Sequence, residues 1–509
     1  MDVSVVLAFF LAALAFFLLP IYLRRWKLKL PPGPKPWPII GNLNLLGSLP
    51  HYSIHELAQK YGPIMQLYFG NSPVIVVSSP KMAEIVLKEK DMVLASRPKT
   101  AAGKYTTYNY SDMTWSEYGP YWAQLRKICL MEIFSGKRID SFQYVRVEEM
   151  KKFMRSLYAS SGKPLPLKDN LLNLTFNVIN RIVLGKSYLD DVDNQVIKPE
   201  EFKFMFDELF VLNGVYNIGD YIPWLGALDL QGYVKRMKDV SKKLDRFMEI
   251  VINEHIEARN KSSVNGEDYV AKDMVDVLLN LADDQDVQVK LQRDGVKGFT
   301  QDLIAGGIES AATSLEWGLS EMLKNPKIFE TATEELDRVI GQERWVEEKD
   351  IQNLPYIEAI SKEIFRVHPV APLLAPHMAM EDCKISDYDI LKGTIVLINT
   401  WTIERDPNIW PDPYEFRPER FMGVDIDVTG RDFRILPFGS GRRRCPGYSL
   451  GLKLIQLNLA NILHGFSWKL PENMKAEELN MEETYGLSVP RKVPLVAVAE
   501  PRLPSHLYA

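Results

Sequence analysis

From Val3 to Leu23 the chain reads VSVVLAFFLAALAFFLLPIYL, without one charged residue. At ~1.5 Å rise per residue, such a run wound as a helix crosses a ~30 Å hydrocarbon layer. It contributes nothing to a soluble core, so whatever folds in water is built from residues C-terminal to it. Arg24, Arg25, Lys27 and Lys29 come directly after it, and Asp2 precedes it. Positive flanks stay cytosolic. The reading is a single-pass anchor with its basic flank, residues 1–29, and a body on the cytosolic side. A cleaved secretory leader fits less well. The run is long for one, no basic segment precedes it, and its only A-x-A triplet, Ala13 to Ala15, lies mid-run.

Next comes LPPGPKPWPIIGN, Leu30 to Asn42, with five prolines and two glycines. It cannot be helical, and it reads as a stiff, extended hinge, residues 30–42. Beyond it there is no second linker, repeat or low-complexity tract, so residues 43–509 read as one large domain. Apolar residues make up 46% of the 509, enough for a substantial core. A net charge of -5 gives no support to a nucleic acid partner. The three cysteines, Cys129, Cys383 and Cys445, make no disulfide framework, which suits a reducing compartment. The sequons at Asn109, Asn173 and Asn260 then go unused.

GPIMQLYFGNSPVIVVSS reads as two short strands turning at Gly70 and Asn71. Most of residues 120–370 has helical period. Val234, Met237, Val240, Leu244, Phe247 and Val251 recur three or four apart, for example. Two polar stretches, Asn265–Asp273 and Asp283–Gly295, read as surface loops. Helical runs become rare after Arg366 and return after Gly447 with YSLGLKLIQLNLANILHGF. The fold class is mainly α, with a small strand-rich portion near the N-terminal part of the body.

The loop ahead of that last helix, PFGSGRRRCPG from Pro437 to Gly447, holds one cysteine among glycines, prolines and three arginines. A thiolate needs positive charge or hydrogen-bond donors nearby. Arg442, Arg443 and Arg444 and the N–H groups of the following helix supply both. The glycines let the backbone approach a flat object closely. Cys445 is thus a candidate lone thiolate ligand, as in a haem-thiolate site. An inert buried cysteine is the bland alternative. A nucleophilic cysteine has no histidine near it except His464. The overlapping GYSLG, Gly447 to Gly451, matches the G-x-S-x-G of serine hydrolases around Ser449. That motif needs a strand before its serine, and here a Pro-, Gly- and Arg-rich loop precedes it.

FGSGRRRCPG resembles the haem-binding signature F-x-x-G-x-R-x-C-x-G of the cytochrome P-450 monooxygenases. Phe438, Gly441, Arg443, Cys445 and Gly447 occupy its fixed positions. The resemblance covers nearly the whole chain and is strongest to the membrane-bound enzymes of plant specialised metabolism. It implies the cytochrome P-450 fold, a large helical domain with a small β-rich subdomain behind one transmembrane helix. It also implies haem b (iron protoporphyrin IX) with Cys445 as the iron ligand.

The same resemblance assigns further residues. Glu363 and Arg366 in KEIFR, with Arg420 in FRPERF, would form a buried triad bracing the haem loop. Trp122 and Arg126 in WAQLR lie one helical turn apart, and with Arg443 and His377 they would reach the haem propionates. In DLIAGGIESAATSLEWGLSEML, Asp302 to Leu323, two adjacent glycines cost a helix about 1 kcal/mol each relative to alanine. Gly306 and Gly307 would make room above the haem. Glu309 and Ser310 would be the catalytic acid–alcohol pair that relays protons to bound oxygen. The family usually has threonine where this chain has Ser310, which lacks the rotamer-fixing methyl.

One atom of O2 would enter the substrate, with electrons from NADPH. The chain has no G-x-G-x-x-G and no flavin domain. Electrons must therefore come from a separate membrane-bound NADPH-haemoprotein reductase, for which the basic surface around the cysteine loop is a docking face. By family position the pocket walls come from Lys104–Trp115, Ala305, Glu309, Val370–Leu374 and Thr484–Ser488. They suit a hydrophobic terpenoid or a phenolic such as a flavonoid or lignan. The endoplasmic reticulum membrane is the expected location. A haem-thiolate isomerase or dehydratase is the alternative, and such members tend to lose the acid–alcohol pair that Glu309 and Ser310 supply. A serine hydrolase on Ser449 is the distant alternative.

Overall fold

The computed structural model describes residues 28–188, 197–264, 269–284, 290–472 and 474–509. The anchor run, Val3 to Leu23, lies outside them. Among the described residues no helix is long and apolar enough to cross a membrane.

Besides Gln143–Ala159, the long helices among the described residues are, in chain order, α1 (Pro50–Tyr61), α2 (Pro120–Ile128), α3 (Leu167–Leu184), α4 (Pro199–Gly214), α5 (Tyr233–Val264), α6 (Met274–Asp283), α7 (Arg293–Lys324), α8 (Pro326–Ile340), α9 (Pro355–Val367) and α10 (Tyr448–Gly465). Five of these begin with proline (α1, α2, α4, α8 and α9). Its missing N–H is one the first turn could not use, and its φ is already helical. α7 is the axis of the domain. It packs on α3, α6, α8, α9 and α10, with buried side chains all round, among them Phe299, Ile304, Leu315, Trp317 and Leu319. A helix apolar on every side belongs inside a large core.

The strands are β1 (Ile64–Phe69), β2 (Ser72–Val77), β3 (Pro164–Pro166), β4 (His377–Met378), β5 (Cys383–Ile385), β6 (Tyr388–Ile390), β7 (Ile395–Ile398), β8 (Phe466–Lys469) and β9 (Val496–Pro501). β1 and β2 form the expected hairpin, antiparallel from Ile64↔Val77 to Phe69↔Ser72. β7 joins β2 in parallel and β4 closes the sheet, in the order β1-β2-β7-β4. That pairing brings residues 370–378, far along the sequence, against the N-terminal part of the body. A three-stranded sheet, β3-β9-β8, and the β5-β6 hairpin complete the named strands of the described residues.

The helical periods of α5 and α10 appear where the sequence puts them. The second polar stretch ends earlier than its composition suggests, because Arg293–Gly295 already belong to α7. Ion pairs explain the early start: Arg293 holds Glu249, and Lys297 reaches Asp245 at 2.7 Å and also Glu249, docking the first turns of α7 on α5. Residues 265–268 and 285–289 of the two polar stretches lie outside the described residues.

Candidate active site

The cysteine loop is closed by its own backbone. Cys445 N–H donates to the Phe438 carbonyl at 2.9 Å, and Arg444 N–H to the Gly441 carbonyl at 3.2 Å. Gly441 has φ +70°, and a side chain there would sit 2.1 Å from the Leu87 carbonyl oxygen. No other residue fits that turn without moving the backbone. Three residues after Cys445 the chain enters α10, at Tyr448.

The three arginines part company. Arg442 turns outward, its N–H and guanidinium on the Asp91 carboxylate at 3.1 and 3.3 Å. Arg444 covers the Tyr448 ring at 4.4 Å and donates to Thr429 O at 2.8 Å. Arg443 turns inward over the Trp122 ring, at 4.5 Å. It donates to the carbonyls of Ala95, Met113 and Ser116 at 2.7, 3.1 and 2.6 Å.

Cys445 lines a cavity of 280 Å3 with mostly apolar walls. Opposite it run Gly306 and Ser310 of α7, and Phe438, Trp122, Arg126 and Arg443 lie around it. Asp302, Gly306 and Ser310 are successive steps of four on one helix face, so all three present to the same space. The two glycines do different jobs. A Cβ on Gly306 meets nothing within 4 Å, because that side of α7 is open. A Cβ on Gly307 would fall 2.4 Å from the Ile179 side chain, so this glycine lets α3 close on α7.

Ser310 Oγ donates to the Gly306 carbonyl at 2.8 Å. Glu309 does not line the Cys445 cavity. It is 7% exposed, beside the Ser488 hydroxyl, and its Oε2 has no hydrogen-bond partner. Burial pushes its carboxyl up to about 7, against a smaller lowering by Ser488. The acid and the alcohol are adjacent in sequence but on different faces of α7, with the loop of Ser488 next to the acid.

The rim of the cavity carries more cations than anions. Arg97, which no sequence motif marks, donates to Thr114, Ala375 and Pro376 carbonyls at 3.0, 2.8 and 2.8 Å. Burial lowers it to about 10, and burial together with Arg97 lowers Arg443 to about 8. Arg126 is also lowered by burial, and its guanidinium makes no protein hydrogen bond among the described residues. His377 lines an adjoining space with Cys445 and Arg443. Its Nδ1 is 2.9 Å from the Leu94 carbonyl, and burial plus the two arginines lower it to about 3, so it is neutral. Buried cations without anionic partners are costly, and this cluster fits a group that brings carboxylates of its own. With one sulfur opposite an open helix face and apolar walls between, the residues present fit haem. Burial raises the Cys445 thiol, against the Gly447 N–H and the charges of Arg126 and Arg444, and an iron ion would take the sulfur as thiolate.

Behind the loop lies the triad. Arg366 forks onto Glu363 at 2.6 and 2.7 Å, and Arg420 Nε reaches the same carboxylate at 3.0 Å. Glu363 and Arg366 side chains are 0% exposed. The remaining Arg366 donors go to the carbonyls of Glu404, Pro413 and Glu415 at 2.9, 2.7 and 3.0 Å. Glu404, a second residue outside every motif, carries the brace onward. Its buried carboxyl accepts the Leu436 N–H at 3.0 Å, at the root of the cysteine loop. Asp302 and Asp112 are a third unforeseen feature. Asp302 accepts the N–H groups of Met113 and Thr114 at 2.9 and 3.0 Å, pinning that loop to α7, and burial raises both carboxyls. No local signal betrays these residues; each is an ordinary charged residue until the fold buries it.

Ser449 sits in the first turn of α10, with no strand leading into it, and His464 is spent on the Arg344 carbonyl at 3.0 Å. The hydrolase geometry is absent there. His51 and His55 share no ligand: His51 pairs with Glu483 at 2.8 Å, His55 with Thr402 at 3.1 Å.

A lone cysteine on a glycine-rich loop, facing a notched central helix across an apolar slot, defines the haem-thiolate class of protein. The family model for cytochrome P450 matches residues 31–497, and the chain belongs to that family. A trimethyltridecatetraene synthase of Zea mays is 45% identical over 95% of this chain and 91% of its own length. A flavonoid 3'-monooxygenase of Petunia hybrida is 42% identical over 97% and 96%. A zebra fish cytochrome P450 solved with progesterone superposes with a TM-score of 0.75 at 26% identity, over 89% of this chain and 99% of that one. The chain is therefore a haem-thiolate monooxygenase with a mainly helical cytochrome P450 fold, drawing NADPH electrons through a reductase.

Proposed function

We propose that the chain inserts one oxygen atom from O2 into an uncharged, hydrophobic plant specialised metabolite, a terpenoid or a phenolic such as a flavonoid or lignan. The observation that carries this reading is the apolar cavity shared by Cys445, Gly306 and Ser310, with unpaired cations at its rim. The relatives' names span a branched polyene and a flavonoid, in keeping with both substrate classes.

Haem on the Cys445 sulfur supplies the oxygen-activating chemistry when bound. The chain's residues do the rest. Trp122, Arg126, Arg443 and Arg97 would hold the haem carboxylates, and His377 would offer the ring nitrogen not turned to Leu94. Phe438, edge-on to Phe365 with centroids 5.7 Å apart, packs the loop against α9. Gly447 lends its N–H to the sulfur. Glu363, Arg366, Arg420 and Glu404 hold the loop in register. Ser310 holds a proton at the cavity, and Glu309 resupplies it from the other face of α7 by way of Ser488, whose hydroxyl lies beside Glu309 and lines one chamber with Ser310.

The membrane assignment has support in the body as well as in the anchor. Trp37, Ile39 and Ile40 of the hinge and Trp224, Leu228 and Leu230 of the segment after α4 are exposed apolar side chains. The β1–β2 turn links the two groups: Gly70 N–H donates to Ile40 O at 3.1 Å, and the Tyr221 carbonyl lies against Gly70. Such a patch suits a bilayer surface, which supports a division into anchor (1–29), hinge (30–42) and catalytic domain (43–509) with this face turned to the endoplasmic reticulum membrane. Lys127 and Arg442 are exposed beside the cysteine loop, where an acidic flavin-carrying reductase would dock.

The test is spectral and catalytic. Reduced protein under carbon monoxide shows the thiolate-haem Soret band, and Cys445→Ser abolishes it. With reductase and NADPH in microsomes, a terpenoid and phenolic panel yields a product one oxygen heavier. A protein lacking the band sinks the proposal.

A further inference from the structure

Gly306 and Ser310 also face a second chamber, of 250 Å3, which reaches toward Phe69, Tyr221 and Ile395. Both residues also line the Cys445 cavity, so a molecule with one end at that cavity has its other end here. Among the described residues, no charged side chain lines the second chamber. Its polar groups include the phenols of Tyr216, Tyr221 and Tyr485, the Asn213 amide and the hydroxyls of Ser310 and Ser488.

Their arrangement is built by close backbone packing. A Cβ on Gly214 would lie 2.1 Å from the Gly486 carbonyl carbon, and Leu487 N–H donates to Phe210 O at 3.1 Å. With no side chain between the two segments, Tyr216 and Tyr485 stack with centroids 6.3 Å apart and planes at 11°. Phe69 meets Tyr216 and Tyr221 edge-on, each at 5.4 Å. The Tyr216 and Tyr485 hydroxyls lie close enough to influence each other, and the Tyr221 hydroxyl has no protein partner among the described residues. Burial keeps all three phenols protonated. Asn213 donates to Thr106 Oγ1 and Leu209 O at 3.3 and 2.8 Å, leaving its buried Oδ1 without a donor.

Phenol donors beside a free amide oxygen, in an apolar and uncharged room, read a hydroxyl or carbonyl. We infer that the Tyr216–Tyr485 pair, with Asn213, anchors an oxygen function at the substrate end remote from the oxidised carbon. The preferred substrate is then an oxygenated neutral molecule and not a hydrocarbon. This inference rests on the monooxygenase reading proposed for the chain.

The experiment compares the best substrate of the panel with its analogue lacking the remote oxygen, in wild type, Tyr485→Phe and Tyr216→Phe. Phenylalanine keeps the ring, and an unchanged reduced carbonyl band shows that each variant folds and holds haem. The oxygenated substrate is expected to bind about tenfold tighter than the analogue, the worth of one good hydrogen bond. Each variant raises KM for the oxygenated substrate toward the analogue's value and leaves the analogue's own KM unchanged. If the best substrate is a hydrocarbon, or the variants shift both KM values alike while the band is normal, the anchor is wrong and the monooxygenase stands. Loss of the band in wild type overturns both.

Discussion

Gly214 and Gly486 touch backbone to backbone: a methyl group on Gly214 would sit 2.1 Å from the Gly486 carbonyl carbon. This contact seats the end of α4 against the 484–488 loop, and it has consequences that can be measured.

Gly214→Ala forces that contact apart. Overpacking of this kind costs about 1–3 kcal/mol, so thermal stability falls. Substrate affinity should fall more than haem content, because the displaced loop carries Tyr485 and Ser488 while the cysteine loop is untouched. Thermal melts, haem content and spectral titration of substrate separate these effects.

Glu309 is held up to about 7 by burial. Its raised folded pKa means it keeps its proton where a free carboxylate has lost it, and gives it up as pH rises through about 7. Product formed per NADPH consumed should decline over that window in wild type. In Glu309→Gln it should be low and flat with pH. Ser310→Thr adds the methyl that restricts χ1 and is expected to raise product per NADPH, whereas Ser310→Ala lowers it.

Glu404 is raised to about 8 by burial, against about 4.3 for an exposed glutamate. The folded state therefore binds the proton more tightly than the unfolded state. This contribution to stability is full below the unfolded pKa and is lost as pH rises through about 8. Wild-type melting temperature should fall between pH 5 and pH 8 more steeply than that of Glu404→Gln, which keeps an acceptor for Leu436 N–H. Glu404→Leu strands that N–H at a cost of about 1–3 kcal/mol, and the thiolate-haem band should weaken in proportion as the loop loosens.

Arg126 has no protein acceptor among the described residues and is partly buried at the cavity rim. Arg126→Gln removes a cation without breaking a protein contact. The expected result is faster haem loss, read as the haem-to-protein ratio after gel filtration, with the melting temperature of haem-free protein unchanged or higher.

Much of the site was legible in linear order because its chemistry depends on local spacing. The cysteine loop needs glycine at a fixed left-handed turn and cysteine four residues on, and Gly441 and Cys445 show both. Glu363 and Arg366 are neighbours because a helix makes residues three apart neighbours. Gly306 and Ser310 share a face for the same reason. Arg97, Glu404, Asp302 and Asn213 were not legible, because each gains its role from a partner far along the chain. Arg97 is held by carbonyls at 375 and 376, and Glu404 by the N–H of 436. Gly307 carried a mixed signal: a notch for a cofactor and a notch for a neighbouring helix look alike until Ile179 is placed beside it.

By itself the sequence determined the class of this protein: one sulfur on a tight basic loop, a notched helix, and an apolar run ahead of a proline hinge. Those features are set by covalent spacing and backbone geometry, which act over a few residues. Only the tertiary structure decided which of three arginines faces the cavity, that Glu309 and Ser310 look different ways, and that three tyrosines from two segments share one room. Burial and long-range contact set the direction and charge of a side chain, and both appear only when distant segments are packed together.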